Sequence, residues 1–103
     1  MGICEGRTVI ITGAARGLGR SYALAFAAEG ANVVVNDIGT SLSGEGRDTS
    51  AADEVVATIK AACGNAIANY EDITDWDAAK RIVDAAVAAF GDLHVVVNNA
   101  GIV

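Results

Sequence analysis

Short unbroken apolar runs alternate along this chain with longer stretches in which apolar residues recur every three or four positions. Thr8-Val9-Ile10-Ile11-Thr12 is β-branched throughout and ends at Gly13, the profile of a strand buried on both faces. Residues 18–29 then carry Leu18, Tyr22, Leu24, Ala25 and Phe26 in a helix-forming stretch that Gly30 closes. Residues 31–36, with three valines in a row, predict the second strand. Residues 38–50 hold Gly, Ser and charge, and are long for a strand-to-helix connection. Ser50 is the expected N-cap of a helix over 51–62, with Val55, Val56 and Ile59 on one face and Gly64 as its stop. A weaker third strand is expected over 65–70. Thr74-Asp75-Trp76-Asp77 has capping-box spacing with Asp in place of Glu. The helix it opens carries Ile82, Val83, Ala86, Val87 and Phe90 and runs to Gly91, and residues 93–97 predict a fourth strand.

The order β-α-β-α-β-α-β, with helices of ordinary length between the strands, implies right-handed parallel crossovers and a sheet covered on both faces. The expected fold class is α/β, the first half of a Rossmann-type doubly wound parallel sheet, in strand order 3-2-1-4. Length allows one core and one domain. Val95-Val96-Val97 is an apolar run suited to the inside of a sheet, yet only six residues follow it. Residues 1–103 are therefore expected to be the N-terminal part of a larger domain, because a bare apolar edge strand is a liability.

Composition narrows the function classes. The chain is 52% hydrophobic, lacks Pro, and carries a net charge of −6. That excludes a disordered chain and argues against an extended nucleic-acid or anionic-membrane footprint. A single phosphate can still be held locally by backbone amides at a helix terminus. No stretch approaches the roughly 20 apolar residues of a membrane span. The N-terminus lacks the parts of a signal peptide. A soluble, cytoplasmic protein is expected. Cys4 and Cys63 have neither CxxC spacing nor nearby His partners, so no metal site is expected and both read as small reduced hydrophobes.

The chemistry gathers at strand ends. Thr12-Gly13-Ala14-Ala15-Arg16-Gly17-Leu18-Gly19 lies between the first strand and the first helix. There Gly13 permits the sharp turn, Gly17 lets the backbone approach a pyrophosphate, and Gly19 lets the helix pack on the sheet. The free amides of the helix N-terminus face the phosphate charge. Asp37 ends the second strand, where a carboxylate accepts hydrogen bonds from adenosine ribose hydroxyls and repels a 2′-phosphate. NAD is therefore expected over NADP. Arg16 argues the other way and is outweighed, because Asp37 would sit on the discriminating hydroxyl.

The spacing T-G-x-x-x-G-x-G resembles the short-chain dehydrogenase/reductase family, and a second motif agrees with it. Asn98-Asn99-Ala100-Gly101 closes the fourth strand. In that family this motif steadies the sheet and lines the ribose side of the cofactor. The resemblance covers essentially the whole chain. It implies cofactor contacts at Gly13, Arg16, Gly17, Leu18, Gly19, Asp37, Asp72, Ile73, Asn99, Ala100 and Gly101, with Asp72 and Ile73 at the adenine. His94 stands where relatives usually carry Asp and reads as structural. VVVNDIG, the Gly/Ser insertion and AAFGDLHVVVNNAGIV are similar to the (3R)-hydroxyacyl-CoA dehydrogenase branch of multifunctional β-oxidation enzymes. That likeness implies a 3-hydroxyacyl thioester or steroid-like substrate.

The family's acid–base group is a Tyr-x-x-x-Lys, with a Ser beside it. Tyr22 is followed four residues later by Phe26, and Tyr70 by Thr74. No catalytic residue is assigned, and this chain alone is expected to be inactive. The favoured reading is thus the NAD-binding part of an enzyme that interconverts a secondary alcohol and a ketone, taking a small-molecule substrate and forming a homo-oligomer in its complete form. The alternative is a non-catalytic NAD-binding module or pseudoenzyme.

Overall fold

A computed structural model describes residues 4–15, 17–37, 50–72 and 75–97, with residue 50 described by its backbone alone. Among the described residues seven elements follow one another: β1 (Thr8–Thr12), α1 (Gly17–Ala28), β2 (Asn32–Asn36), α2 (Ser50–Ala61), β3 (Asn65–Asn69), α3 (Trp76–Phe90) and β4 (Val95–Val97). All four strands are parallel, in the order β3-β2-β1-β4. This is the expected α/β doubly wound arrangement, in the expected strand order.

Alternation along the strands splits the core into two. Val9, Ile11, Val33 and Val35 point to one face and pack with Ala23 of α1 and Ala52, Val55 and Ile59 of α2. Ile10 and Val34 point to the other, where Ile82 and Ala86 of α3 cover them. Burial on both faces is why β1 and β2 read as continuous β-branched runs rather than alternating ones. The buried residues of α1 are Gly19 and Ala23, small enough to bring the helix close to the sheet.

Element ends depart from the expected ones in instructive ways. Ser50 is the first helical residue of α2 and not the residue before it. The N-cap of α3 is Asp75, whose side chain accepts from the Asp77 amide, one residue later than the capping box implied. Gly91 ends α3 as expected, and it does so in the left-handed region. At the end of α2 the left-handed residue is Cys63, with φ 67°. Gly64 is needed for a different reason, since a Cβ there would lie 2.7 Å from Ile59 Cγ2. Cys63 is exposed, so it is not a buried hydrophobe, whereas Cys4 packs against the core.

β4 begins at Val95, and the residue before it completes its pairing with β1. The His94 amide donates to the Thr8 carbonyl at 3.0 Å, and the Thr8 amide donates to Nδ1 of His94 at 3.0 Å. The imidazole is therefore an acceptor at Nδ1, leaving Nε2, 3.4 Å from Asp92 Oδ2, as its N–H. Thr8 is 1% exposed, and its amide finds this acceptor in a part-buried bond. His94→Ala is expected to cost about 1–3 kcal/mol for the orphaned amide. His94→Asp keeps an acceptor and should lose less than half of that. Urea midpoints of the two variants against the parent check this, and equal losses would show that the ring nitrogen contributes nothing.

Candidate functional site

The carboxyl ends of β1, β2 and β3 form one edge of the sheet, and the predicted site residues that the structure describes converge there. Gly13 follows β1 with φ 62°, and Gly17 opens α1 with φ 59°. Two left-handed glycines within five positions reverse the chain so that α1 begins directly above the end of β1. The first turn of α1 holds no acidic residue, so no carboxylate of that turn competes with an anion for the helix's positive end. Leu18 in that turn is 67% exposed, on the open side of the loop.

Asp37 lies one residue beyond β2, half-buried, and its Oδ2 accepts from the Ala15 amide at 3.3 Å. The carboxylate is thus held over the glycine loop itself. Its own amide donates to the Asn69 carbonyl at 2.9 Å, and the Ala14 amide donates to the Asn36 carbonyl at 2.9 Å. Asp72 lies just past β3, half-buried, and its carbonyl takes the Asp75 amide at 3.1 Å. The structure therefore brings Gly13, Gly17, Leu18, Gly19, Asp37 and Asp72 to one edge. Arg16, Ile73, Asn99, Ala100 and Gly101 lie outside the described residues.

Several residues beside the site were given no role there from the sequence. Thr12 Oγ1 donates to the Val97 carbonyl at 3.4 Å, tying the ends of β1 and β4. Asn36 Nδ2 donates to Asn69 Oδ1 at 2.9 Å and to the Glu71 carbonyl at 3.0 Å. The signal was available: β2 and β3 read NVVVN and NAIAN, each an apolar run bracketed by asparagines. Glu71 makes a two-pronged ion pair with Arg81 of α3, at 3.0 and 2.9 Å. Tyr70 hydrogen-bonds Asp53 of α2, and the phenol's pKa is raised above its usual value chiefly because ionisation would forfeit that hydrogen bond, with desolvation and the nearby carboxylate charge adding to it. Among the described residues no cluster of side chains could hold a metal ion, and no helix is long and apolar enough to cross a membrane.

A glycine turn, a helix N-terminus and a strand-end carboxylate on one edge of a parallel sheet define a dinucleotide-type site. The loop is open at Gly17, where an added Cβ would meet nothing within 4 Å from elsewhere among the described residues. The particular family follows from sequence comparison. The profile of the short chain dehydrogenase family matches residues 7–103, and the chain belongs to that family.

Relatives sharpen the likeness. The peroxisomal multifunctional enzyme type 2 of Mus musculus is 52% identical over 98 residues, which are 95% of this chain and 13% of that protein. The crystal structure of a short chain dehydrogenase from Mycobacterium avium superposes with a TM-score of 0.89 at 55% identity, covering 100% of this chain and 36% of that one. A short chain dehydrogenase from Mycobacterium paratuberculosis, solved bound to NAD, gives a TM-score of 0.87 at 39% identity, over 99% of this chain and 39% of that one. The chain thus spans little more than a third of the solved structures it matches, and a smaller share of the multifunctional enzyme.

Proposed function

We propose that this chain is the NAD-binding N-terminal part of a short-chain dehydrogenase that oxidises a secondary alcohol or reduces a ketone. The observation that carries the reading is the Asp37 carboxylate, held at the end of β2 above the glycine loop by the Ala15 amide. A carboxylate there accepts from both hydroxyls of an adenosine ribose, and repels the 2′-phosphate that distinguishes NADP. The pyrophosphate would rest on the α1 amides beside Gly17, with Asp72 and Ile73 at the adenine and Asn99, Ala100 and Gly101 on the ribose side. Arg16, in the glycine loop, would lie beside the phosphates. NAD, when bound, supplies the acceptor for a substrate hydride. The residues of this chain bind and orient it, and none is assigned a proton to move.

The whole protein's properties belong to the same proposal. The exposed Val95 and Val96 of β4, with Val83 and Val87 of α3, are apolar surface that further sheet and helix elements of a longer domain would cover. Those elements would carry the Tyr-x-x-x-Lys, the substrate pocket and the contacts between subunits. The likeness to a multifunctional enzyme favours a 3-hydroxyacyl thioester as substrate, with a steroid-like alcohol as the second choice. A peroxisomal relative makes a peroxisomal setting as well supported as the cytoplasmic one expected from composition.

Calorimetric titration with NAD and NADP tests the reading. Saturable binding of NAD, tighter than NADP by tenfold or more (about 1.4 kcal/mol), is expected. Equal binding of the two, or none of either, overturns it.

A further inference from the structure

We propose that Asn36 is a positioning residue for the adenosine half of the nucleotide, and that its pairing with Asn69 sets how sharply the site tells NAD from NADP. The inference rests on the NAD reading above, and adds to it a residue that is itself closed off from ligand, being 2% exposed.

A buried primary amide is costly unless its hydrogen bonds are made. Asn36 ends a run of three fully buried valines, where another valine would prolong the strand at no such cost. What the amide does there is join segments. The Asn36 carbonyl takes the amide of Ala14, in the glycine loop, at 2.9 Å. Its Nδ2 reaches across to β3, giving one hydrogen to Asn69 Oδ1 at 2.9 Å and the other to the Glu71 carbonyl at 3.0 Å. Asn69 Oδ1 also accepts from the Glu71 amide at 3.0 Å, and the Asn69 carbonyl accepts from the Asp37 amide at 2.9 Å.

Asp37 Oδ2 then closes the ring on the Ala15 amide. The bonds run from glycine loop to β2, to the end of β3, to Asp37, and back to the glycine loop. The three segments that would meet pyrophosphate, ribose and adenine are thereby held as one body. A carboxylate discriminates a hydroxyl from a phosphate only if it cannot swing aside, so this ring bears on selectivity as well as on affinity.

The opposite edge of the sheet supplies an internal comparison. Asn32 and Asn65 occupy the same cross-strand register at the amino ends of β2 and β3. There the pair makes one exposed bond, Asn65 Nδ2 to Asn32 Oδ1 at 3.2 Å. Among the described residues, the pair that includes the buried Asn36 and is tied to three segments stands at the edge that holds the nucleotide site.

The test is titration of NAD and NADP into the parent, Asn36→Val, Asn69→Ala and Asn69→Asp, each below its own melting transition. Asn36→Val and Asn69→Ala are expected to weaken NAD about tenfold, the scale of one or two lost hydrogen bonds. NADP should weaken less, so that the NAD-to-NADP preference falls at least about threefold. Asn69→Asp keeps both acceptor roles of Oδ1, and its preference should stay at or above the parent's. A lower melting temperature with the preference unchanged in Asn69→Ala overturns the inference and leaves the NAD reading standing. A parent that binds neither nucleotide overturns both. If Asn36→Val does not fold, Asn69→Ala decides alone, because Asn69 is only half-buried.

Discussion

Replacing Asp37 by Ser is expected to erase the preference for NAD, shifting the ratio of NAD to NADP affinities by about a hundredfold or more. Two effects add. A hydrogen bond to a charged acceptor contributes about 1.5–3 kcal/mol, so losing the carboxylate weakens NAD by roughly 10- to 150-fold. The same change removes a like charge from the place a 2′-phosphate would occupy, and two unit charges about 4 Å apart near a protein surface repel by roughly 4 kcal/mol. NADP therefore gains while NAD loses. The fold should hardly register the change. Asp37 is half-buried, its bond from the Ala15 amide is long at 3.3 Å, and a serine hydroxyl keeps an acceptor at that position. Thermal melting within a few degrees of the parent, together with inverted or level affinities, is the expected result. A ratio that stays where it was would remove Asp37 from the site.

Gly17→Ala should separate what the fold needs from what the ligand needs. Gly17 has φ +59°, and a Cβ built on it meets nothing within 4 Å among the described residues. The cost to the folded chain is then the left-handed backbone alone, about 1–2 kcal/mol. A bound pyrophosphate would come against that same open space, so the methyl group would stand between the phosphate and the amides of α1. Loss of NAD binding by about a hundredfold is expected, from overpacking of about 1–3 kcal/mol together with one charge-assisted hydrogen bond. Gly91→Ala is the control. Gly91 has φ +84° and equally open surroundings, but it ends α3 away from the glycine loop. It should melt earlier by a similar amount and bind NAD as the parent does. Two variants of equal stability and very different affinity would assign the Gly17 effect to the ligand. Equal affinities would sink the assignment.

Much of the site was legible because it is built from backbone requirements that leave marks in sequence. A left-handed turn calls for glycine at Gly13 and Gly17, and a carboxylate aimed at a ribose must sit at a strand end, as Asp37 does. The ring that steadies them was harder to read. Asn36 and Asn69 are 33 positions apart, and their partnership exists only because β2 and β3 pair in that register. The stop of α2 shows the same limit. Gly64 reads as the stop of the helix, yet the left-handed residue there is Cys63, and Gly64 is required instead by the Ile59 side chain lying against it.

By itself the sequence determined the class of fold, the order of the elements and the order of the strands. β-branched runs between helical stretches admit a twice-covered parallel sheet, and right-handed crossovers leave little freedom in laying it out. Local chemistry likewise marked the ends of β1 and β2 as the place where an anion and a ribose are proposed to be met. The tertiary structure decided which polar groups find one another: Asn36 with Asn69 and Glu71, Asp37 with the Ala15 amide, and His94 with Thr8 across 86 positions. Hydrogen bonds of that kind depend on register and on fractions of an ångström, which no single stretch of chain contains. Periodicity and turn chemistry are written locally, whereas the satisfaction of buried polar groups is settled only when distant strands come together.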